Sequence, residues 1–232
     1  MTDANLPLPA VQALIFDMDG TMIDSMPSHA QSWQVFAAQH GLSIDMPDLM
    51  RRTTGRNGLE CMRELFQQEL PVDKALAYVH EKEAIYRELF APCFAEIAGF
   101  KAFAAQAQQR GLKVGVGTAG DQHNIAFAYA NLQMPHSPWA TVGGDEGLPG
   151  KPEPAIFLEV ARRIGVAPEH CIVFEDAPLG IEAARRAGMR AVGICTGHPA
   201  RELAGPHVLA HAADYYALID SNFLERHHVA TP

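Results

Sequence analysis

Asp17 and Asp19 stand two residues apart just past the short apolar run Ala13-Leu14-Ile15-Phe16, and Glu175 and Asp176 stand side by side just past a second run, Cys171-Ile172-Val173-Phe174. Each run reads as a buried strand. In an open α/β sheet, ligands bind in the crevice beyond the carboxyl ends of the strands, so two acidic pairs in that position converge on one spot when their strands are neighbours. Converging carboxylates repel and need a hard cation or shared protons to coexist. An oxygen-rich cluster of this kind suits Mg²⁺, which typically takes one or two carboxylates plus waters and substrate phosphate. The chemistry open to these four residues is metal-assisted phosphoryl transfer.

Two further spots fit that chemistry. Val114-Gly115-Val116-Gly117 leads into Thr118-Ala119-Gly120, and a loop holding Gly143, Gly144, Gly147, Pro149 and Gly150 leads into Lys151-Pro152-Glu153-Pro154. A hydroxyl with adjacent backbone N–H groups near a helix start can hold phosphate oxygens, and a lysine adds a compact positive charge. Each residue also has a plainer reading. Asp17 and Asp19 can be turn residues before Gly20, Thr118 can cap the next helix, Lys151 can be a solvated loop charge, and Glu175-Asp176 can cap the helix that follows. Taken one by one, those readings suffice. Four of them in this order, each after a strand or in a loop, point to one catalytic site.

The elements that must position these residues follow from periodicity and punctuation. After the first strand the pattern turns helical for a long stretch. Pro27 to His40 reads as a helix with Ser25 as its cap, Gly41 as its stop and Trp33, Phe36 and Ala37 on one face. Helices over 47–52, 58–69 and 72–90 follow, with no strand among them. From about Ile97 strand and helix alternate: helix 100–109, strand 112–117, helix 121–132, a short strand at 140–142, helix 153–164, strand 171–174, helix 177–187 and strand 190–194. Repeating βα units predict a mainly parallel sheet covered by helices on both faces. The expected fold is therefore α/β, a Rossmann-like doubly wound parallel core of residues 1–25 plus 96–232, with a helical insert of residues 26–95 after the first strand.

Bulk composition narrows the class. The 232 residues are 48% hydrophobic and 19% charged, an ordinary globular balance long enough to bury a sizeable core. A net charge of -9 argues against a surface that tracks nucleic-acid phosphates. Residues 1–9 carry no basic region followed by a long apolar stretch, and no later run approaches bilayer length, so a cytoplasmic location without membrane contact is expected. Cys61, Cys93, Cys171 and Cys195 show no CxxC spacing, which speaks against structural disulfides and zinc. His227-His228 is expected to be a solvated, inert pair in a polar tail.

The motifs Asp17-Met18-Asp19-Gly20-Thr21, Thr118, Lys151 and Glu175-Asp176, in this order, make the chain closely resemble the haloacid dehalogenase superfamily, in the branch with β-phosphoglucomutase and small sugar-phosphate phosphatases. The resemblance spans about 13–194, and the helical insert stands where this branch carries its cap. It implies that Asp17 is the nucleophile that forms an aspartyl-phosphate. Asp19 is then the general acid for the departing oxygen and afterwards the base for water. It further implies Mg²⁺ held by the Asp17 carboxylate, the Asp19 carbonyl and Asp176, with Glu175 binding directly or through water. Thr118, the Ala119 N–H and Lys151 orient and neutralise the phosphoryl group.

In the cap, His29, Arg56 in Thr54-Gly55-Arg56-Asn57-Gly58, and Lys82 are implied substrate contacts. Arg56 and Lys82 equally read as surface salt-bridge partners, and His29 as a helix-surface residue packed against Trp33. The expected activity is a phosphatase for a small phosphorylated metabolite, a sugar or polyol phosphate, acting as a monomer. The alternatives are a β-phosphoglucomutase-type mutase, which uses the same core, and a noncatalytic phosphometabolite sensor, which would be expected to lose an acidic group. A dehalogenase would not need Asp19, and a phosphonatase would lack an aspartate there.

Overall fold

The structure, a computed structural model, describes residues 9–227; His228 lies outside them. Six strands form one sheet, β1 (Ala13–Phe16), β2 (Lys113–Gly117), β3 (Ala140–Val142), β4 (Cys171–Glu175), β5 (Arg190–Ile194) and β6 (Val208–Ala212). Their order is β3-β2-β1-β4-β5-β6, with every pairing parallel. The strand order reverses beside β1, and such a switch point opens the crevice in which doubly wound sheets bind ligands.

Alternation along β1 divides the core into two layers. Leu14 and Phe16 join one cluster with Phe100 and Phe103 of α5 (Phe100–Gln109) and Ala128 and Leu132 of α6 (Gln122–Leu132). Tyr215 and Leu218 of α9 (Tyr215–Asp220) and Phe223 of α10 (Phe223–His227) complete that layer. Ala13 and Ile15 face the other cluster, built from Ile156, Phe157, Val160 and Ile164 of α7 (Ala155–Ile164) and Ile181, Ala183 and Ala184 of α8 (Pro178–Arg186). A strand buried on both faces must be apolar throughout, as Ala13-Leu14-Ile15-Phe16 is.

Between β1 and α5 run four α-helices, α1 (Met26–Gln39), α2 (Met46–Thr53), α3 (Gly58–Phe66) and α4 (Val72–Phe90). They close over a core of their own, Trp33, Phe36, Leu49, Cys61, Met62 and Val79. The far end of α4 departs from this cluster, since Tyr86 and Phe90 belong to the main core. The two connections between helices and sheet lie side by side: Ile23 bridges Glu96 in antiparallel fashion, Asp24 N donates to Ala95 O at 3.0 Å, and Ile97 N donates to Met22 O at 3.0 Å.

Several expectations shift. The helix from 58 ends at Phe66, where Gln67 turns left-handed at φ 51°. Ser25 stands at the N-cap of α1 but makes no capping bond, because its hydroxyl donates to Asp19 Oδ1 instead. Asp121, not Thr118, caps α6. β6, α9 and α10 add elements beyond residue 194 that the periodicity does not show, and His227 is not in a solvated tail: its ring lies tilted against Phe223 within α10, 4.5 Å between centroids. Among the described residues no helix is long and apolar enough to cross a membrane.

Candidate active site

The register of β1 explains why the acidic pairs meet. Phe16 pairs with Phe174 and with Val116, so the residues just beyond it, Asp17 and Asp19, emerge between Glu175-Asp176 on one side and Thr118 on the other. Asp17 N donates to Phe174 O at 3.0 Å, continuing the ladder to the first carboxylate. Gly20 turns the chain at φ 76°, and a Cβ there would come within 2.3 Å of Asp176 Oδ2. Only glycine accommodates both the left-handed backbone and that approach.

Lys151 reaches in from the glycine-rich loop and is buried at 1% exposure between two carboxylates, hydrogen-bonded to Asp17 Oδ1 and, at 2.6 Å, to Glu175 Oε1. Glu175 Oε2 accepts the Ala177 N–H at 2.7 Å, so both of its oxygens are engaged. Burial would lower the Lys151 ammonium, but Asp17 and Glu175 outweigh it and hold it above its ordinary range. Asp17 is shifted upward by burial, with Lys151 opposing, and Asp176 is raised well above the carboxylate range by burial and then by Glu175 and Asp17. One ammonium does not neutralise three buried carboxylates.

Asp19, two residues on, lives in a different environment. Its Oδ1 accepts from Ser25 Oγ at 2.7 Å, His29 Nε2 at 3.1 Å and the Tyr86 hydroxyl at 3.3 Å. Lys82 Nζ lies 2.8 Å from His29 Nδ1, and an ammonium can only donate, so Nδ1 accepts and the imidazole proton sits on Nε2, facing Asp19. Burial would raise Asp19, but His29, then Ser25 and Lys82, outweigh it and hold the carboxyl below its usual range.

The cap residues divide. His29 is not a surface residue packed on Trp33; it stacks on Tyr86 at 3.8 Å between centroids. Lys82 is 2% exposed, which removes the surface-salt-bridge reading, and its ammonium also lies 4.8 Å over the Trp33 ring. Arg56 lines the cavity, but Nε donates to Arg52 O at 2.8 Å and Nη2 sits 3.9 Å from Glu64. Ala119 lines the cavity too, whereas the Thr118 hydroxyl is buried and accepts the Gly120 N–H at 3.0 Å. A cavity of about 100 Å³ between cap and core is lined by Asp17, Asp19, Glu175 and Asp176.

Sequence reasoning missed Tyr86, which falls one helical turn after Lys82 and so shares its face. It also missed Thr196, whose hydroxyl donates to Gly20 O at 2.6 Å, and His198, whose Nδ1 donates to Asp176 O at 3.0 Å. Both belong to the loop after β5 and tie the two acidic turns to it.

Among the described residues no three His, Cys, Asp or Glu side chains form a ready metal cage. Magnesium does not ask for one, since it keeps waters and substrate oxygens in its shell. Asp176 Oδ2 is a buried oxygen without a hydrogen-bond partner, and it lies in a carboxylate cluster with excess negative charge. A hard divalent cation fits this donor set.

A family model described as haloacid dehalogenase-like hydrolase matches residues 11–188. The chain belongs to that family. It is 35% identical over 188 residues to the fructose-1-phosphate phosphatase of Escherichia coli, an alignment that covers 78% of this chain and 95% of the relative. It is 33% identical over 198 residues to the validoxylamine A 7'-phosphate phosphatase of Streptomyces hygroscopicus, covering 84% and 91%. The crystal structure of a β-phosphoglucomutase from Clostridium difficile superposes with a TM-score of 0.81 at 22% identity, over 94% of this chain and 97% of that one, which establishes the shared fold. The haloacid dehalogenase-like hydrolase described here thus carries the helical cap and parallel core of that fold.

Proposed function

We propose that this hydrolase is a magnesium-dependent phosphatase that removes phosphate from a small sugar or polyol phosphate through an aspartyl-phosphate on Asp17. The observation that carries the reading is the separation of two carboxylates only two residues apart. Asp17 is paired with Lys151, and Asp19 with His29, Ser25 and Tyr86. Pairs of titratable groups held in contrasting environments are how one site divides nucleophile from acid and base. The phosphatase names of the two relatives support the same class.

Asp17 attacks phosphorus, a new O–P bond forms, and the sugar oxygen leaves with a proton taken from Asp19. Asp19 then accepts a proton from water, the water oxygen attacks the aspartyl-phosphate, and phosphate departs, regenerating Asp17. Asp19, held below its usual range, favours the ionised form that the second step uses. A phosphate dianion placed beside it raises its affinity for a proton and prepares the first step. Lys151 offsets the repulsion between Asp17 and the incoming dianion, and Ala119 and Thr118 orient the group. Asp17, the Asp19 carbonyl and Asp176 would hold Mg²⁺, which supplies charge neutralisation for the transferring oxygens. Glu175, with both oxygens already engaged, serves Lys151.

Residues 26–95 serve as a cap on a core of residues 1–25 and 96–232, and His29, Arg56 and Lys82 present its polar groups to the substrate. The test is a phosphate-release screen over sugar, polyol and nucleotide monophosphates with Mg²⁺, run beside an assay for glucose 6-phosphate formation from β-glucose 1-phosphate. Phosphate release supports the reading. Isomerisation without release replaces it with a phosphosugar mutase, and silence in both arms overturns it.

A further inference from the structure

Glu83 and Arg87 lie one turn apart on α4, and Asn124 lies in the first turn of α6, on the opposite side of the seam between the helical insert and the sheet domain. Asn124 Nδ2 donates to Glu83 Oε2 at 2.7 Å, and Arg87 Nη1 donates to Asn124 Oδ1 at 2.7 Å. The amide is 2% exposed and its donor and acceptor are both met by a single helix of the other unit, at the wall of the cavity that Asn124 and Glu83 also line.

The contact does not end at Glu83. Its second oxygen, Oε1, accepts from Lys82 Nζ at 2.9 Å, Lys82 donates to His29 Nδ1, and His29 donates to Asp19. An unbroken chain therefore runs from Arg87 through Asn124, Glu83, Lys82 and His29 to Asp19. Burial would raise the Glu83 carboxyl, but the Lys82 ammonium and the Asn124 amide hold it below its ordinary range, an acceptor on both oxygens.

The space between the insert and the sheet domain, about 100 Å³, falls short of the roughly 300 Å³ at which small-molecule pockets begin. Room for a sugar phosphate would come from the insert moving off the sheet, a motion in which this seam parts and re-forms. We infer that Asn124, Glu83 and Arg87 are positioning residues that form a latch: in closing, it fastens the insert to the core and seats Lys82 and His29 against Asp19. The inference rests on the reading of Asp19 as acid and base.

The latch is tested by reversing its polarity in the full chain. In Asn124→Asp a carboxylate faces Glu83 and the seam is repelled; adding Glu83→Gln supplies an amide that donates to the new carboxylate while its oxygen still accepts from Lys82. Hydrogen exchange in α4 and in the first turn of α6 is read together with kcat and KM on the best sugar phosphate. Asn124→Asp should speed exchange on both helices and lower kcat/KM by about tenfold or more, as befits a lost hydrogen bond to a charged group, with the double variant returning to within about threefold of wild type. A single variant that behaves as wild type, or a double variant without recovery, overturns the latch. Should Asn124→Asp fail to fold, Arg87→Met is read the same way; Arg87 does not line the cavity, and unaltered exchange and kcat there overturn the inference. Wild-type protein that releases no phosphate removes the Asp19 reading, while the exchange measurements still decide whether the seam is fastened by these residues.

Discussion

Lys151 Nζ lies 2.6 Å from Glu175 Oε1, with both side chains 1% exposed. The pair connects the two halves of the acidic cluster, because the same ammonium also serves Asp17. Its burial makes Lys151 a fixed charge beside Asp17, and in the proposed reaction such a charge is more effective than a mobile one because no reorganisation accompanies the step.

Lys151→Met should destabilise the fold by about 3–5 kcal/mol, the range for removing one partner of a buried ion pair. Adding Glu175→Gln should recover part of the loss, since one of the stranded carboxylates is gone. Urea denaturation of the single and double variants measures this, and equal stability of the two would assign the cost to the lost contact of the ammonium with the Phe157 ring, 4.9 Å from its centroid.

Asp17→Asn should abolish turnover with little effect on the fold, because side-chain volume is kept while the nucleophile is lost. Phosphate release and circular dichroism are read together. Residual activity within about tenfold of wild type, near 1.4 kcal/mol of barrier, would show that another group attacks phosphorus.

Chelation by EDTA should stop activity, with Mg²⁺ restoring it better than Ca²⁺, whose larger and looser oxygen shell misplaces nucleophile and phosphate. Metal-free stability should carry a matching signature. Asp17 and Asp176 are raised in the folded state, so the native protein holds protons that the unfolded chain releases above about pH 3.9. Their contribution is fully present below that pH and is lost as pH rises through their folded values. Glu159 and Glu182, both depressed to about 2, act in the opposite sense but only at lower pH. Thermal unfolding followed from pH 5 upward should show the metal-free protein losing stability, with Mg²⁺ offsetting the loss increasingly at higher pH. A Mg²⁺ increment independent of pH would place the ion elsewhere.

Arg56→Ala should weaken discrimination among sugar phosphates while sparing p-nitrophenyl phosphate, whose hydrolysis depends mainly on the sheet domain. Equal losses on both substrates would give Arg56 a supporting role in the cap, through Arg52 and Glu64, and no loss on either would leave it a surface residue.

The sheet and its acidic crevice were legible because a strand buried on both faces leaves an uninterrupted apolar run, and because Asp17 and Glu175 each follow such a run directly. β6 left no such trace: Val208–Ala212 lies at the sheet edge, half exposed and carrying His211, and its alternation is too weak to separate from a loop. Ser25 was legible as a helix start, but the competing attraction of a buried carboxylate decided where its hydroxyl points. Tyr86, Glu83 and Asn124 carry no motif of their own. The roles of Glu83 and Asn124 arise from the crossing of α4 over α6, and that of Tyr86 from the approach of α4 to α1 and Asp19, tertiary contacts that no motif encodes.

The paired connections at Ile23 and Glu96 give that crossing a direction. Two extended segments joined by backbone hydrogen bonds resist shearing and twisting far more than they resist flexing, as a two-ply strap does. In the proposed closure, the softest motion these connections leave the insert is a swing about the line of the strap. Because Asp19 itself bridges Ile23, the residue proposed to handle the proton would sit at the pivot, where displacement is smallest, while Arg56 and Glu83 would ride on the moving arm.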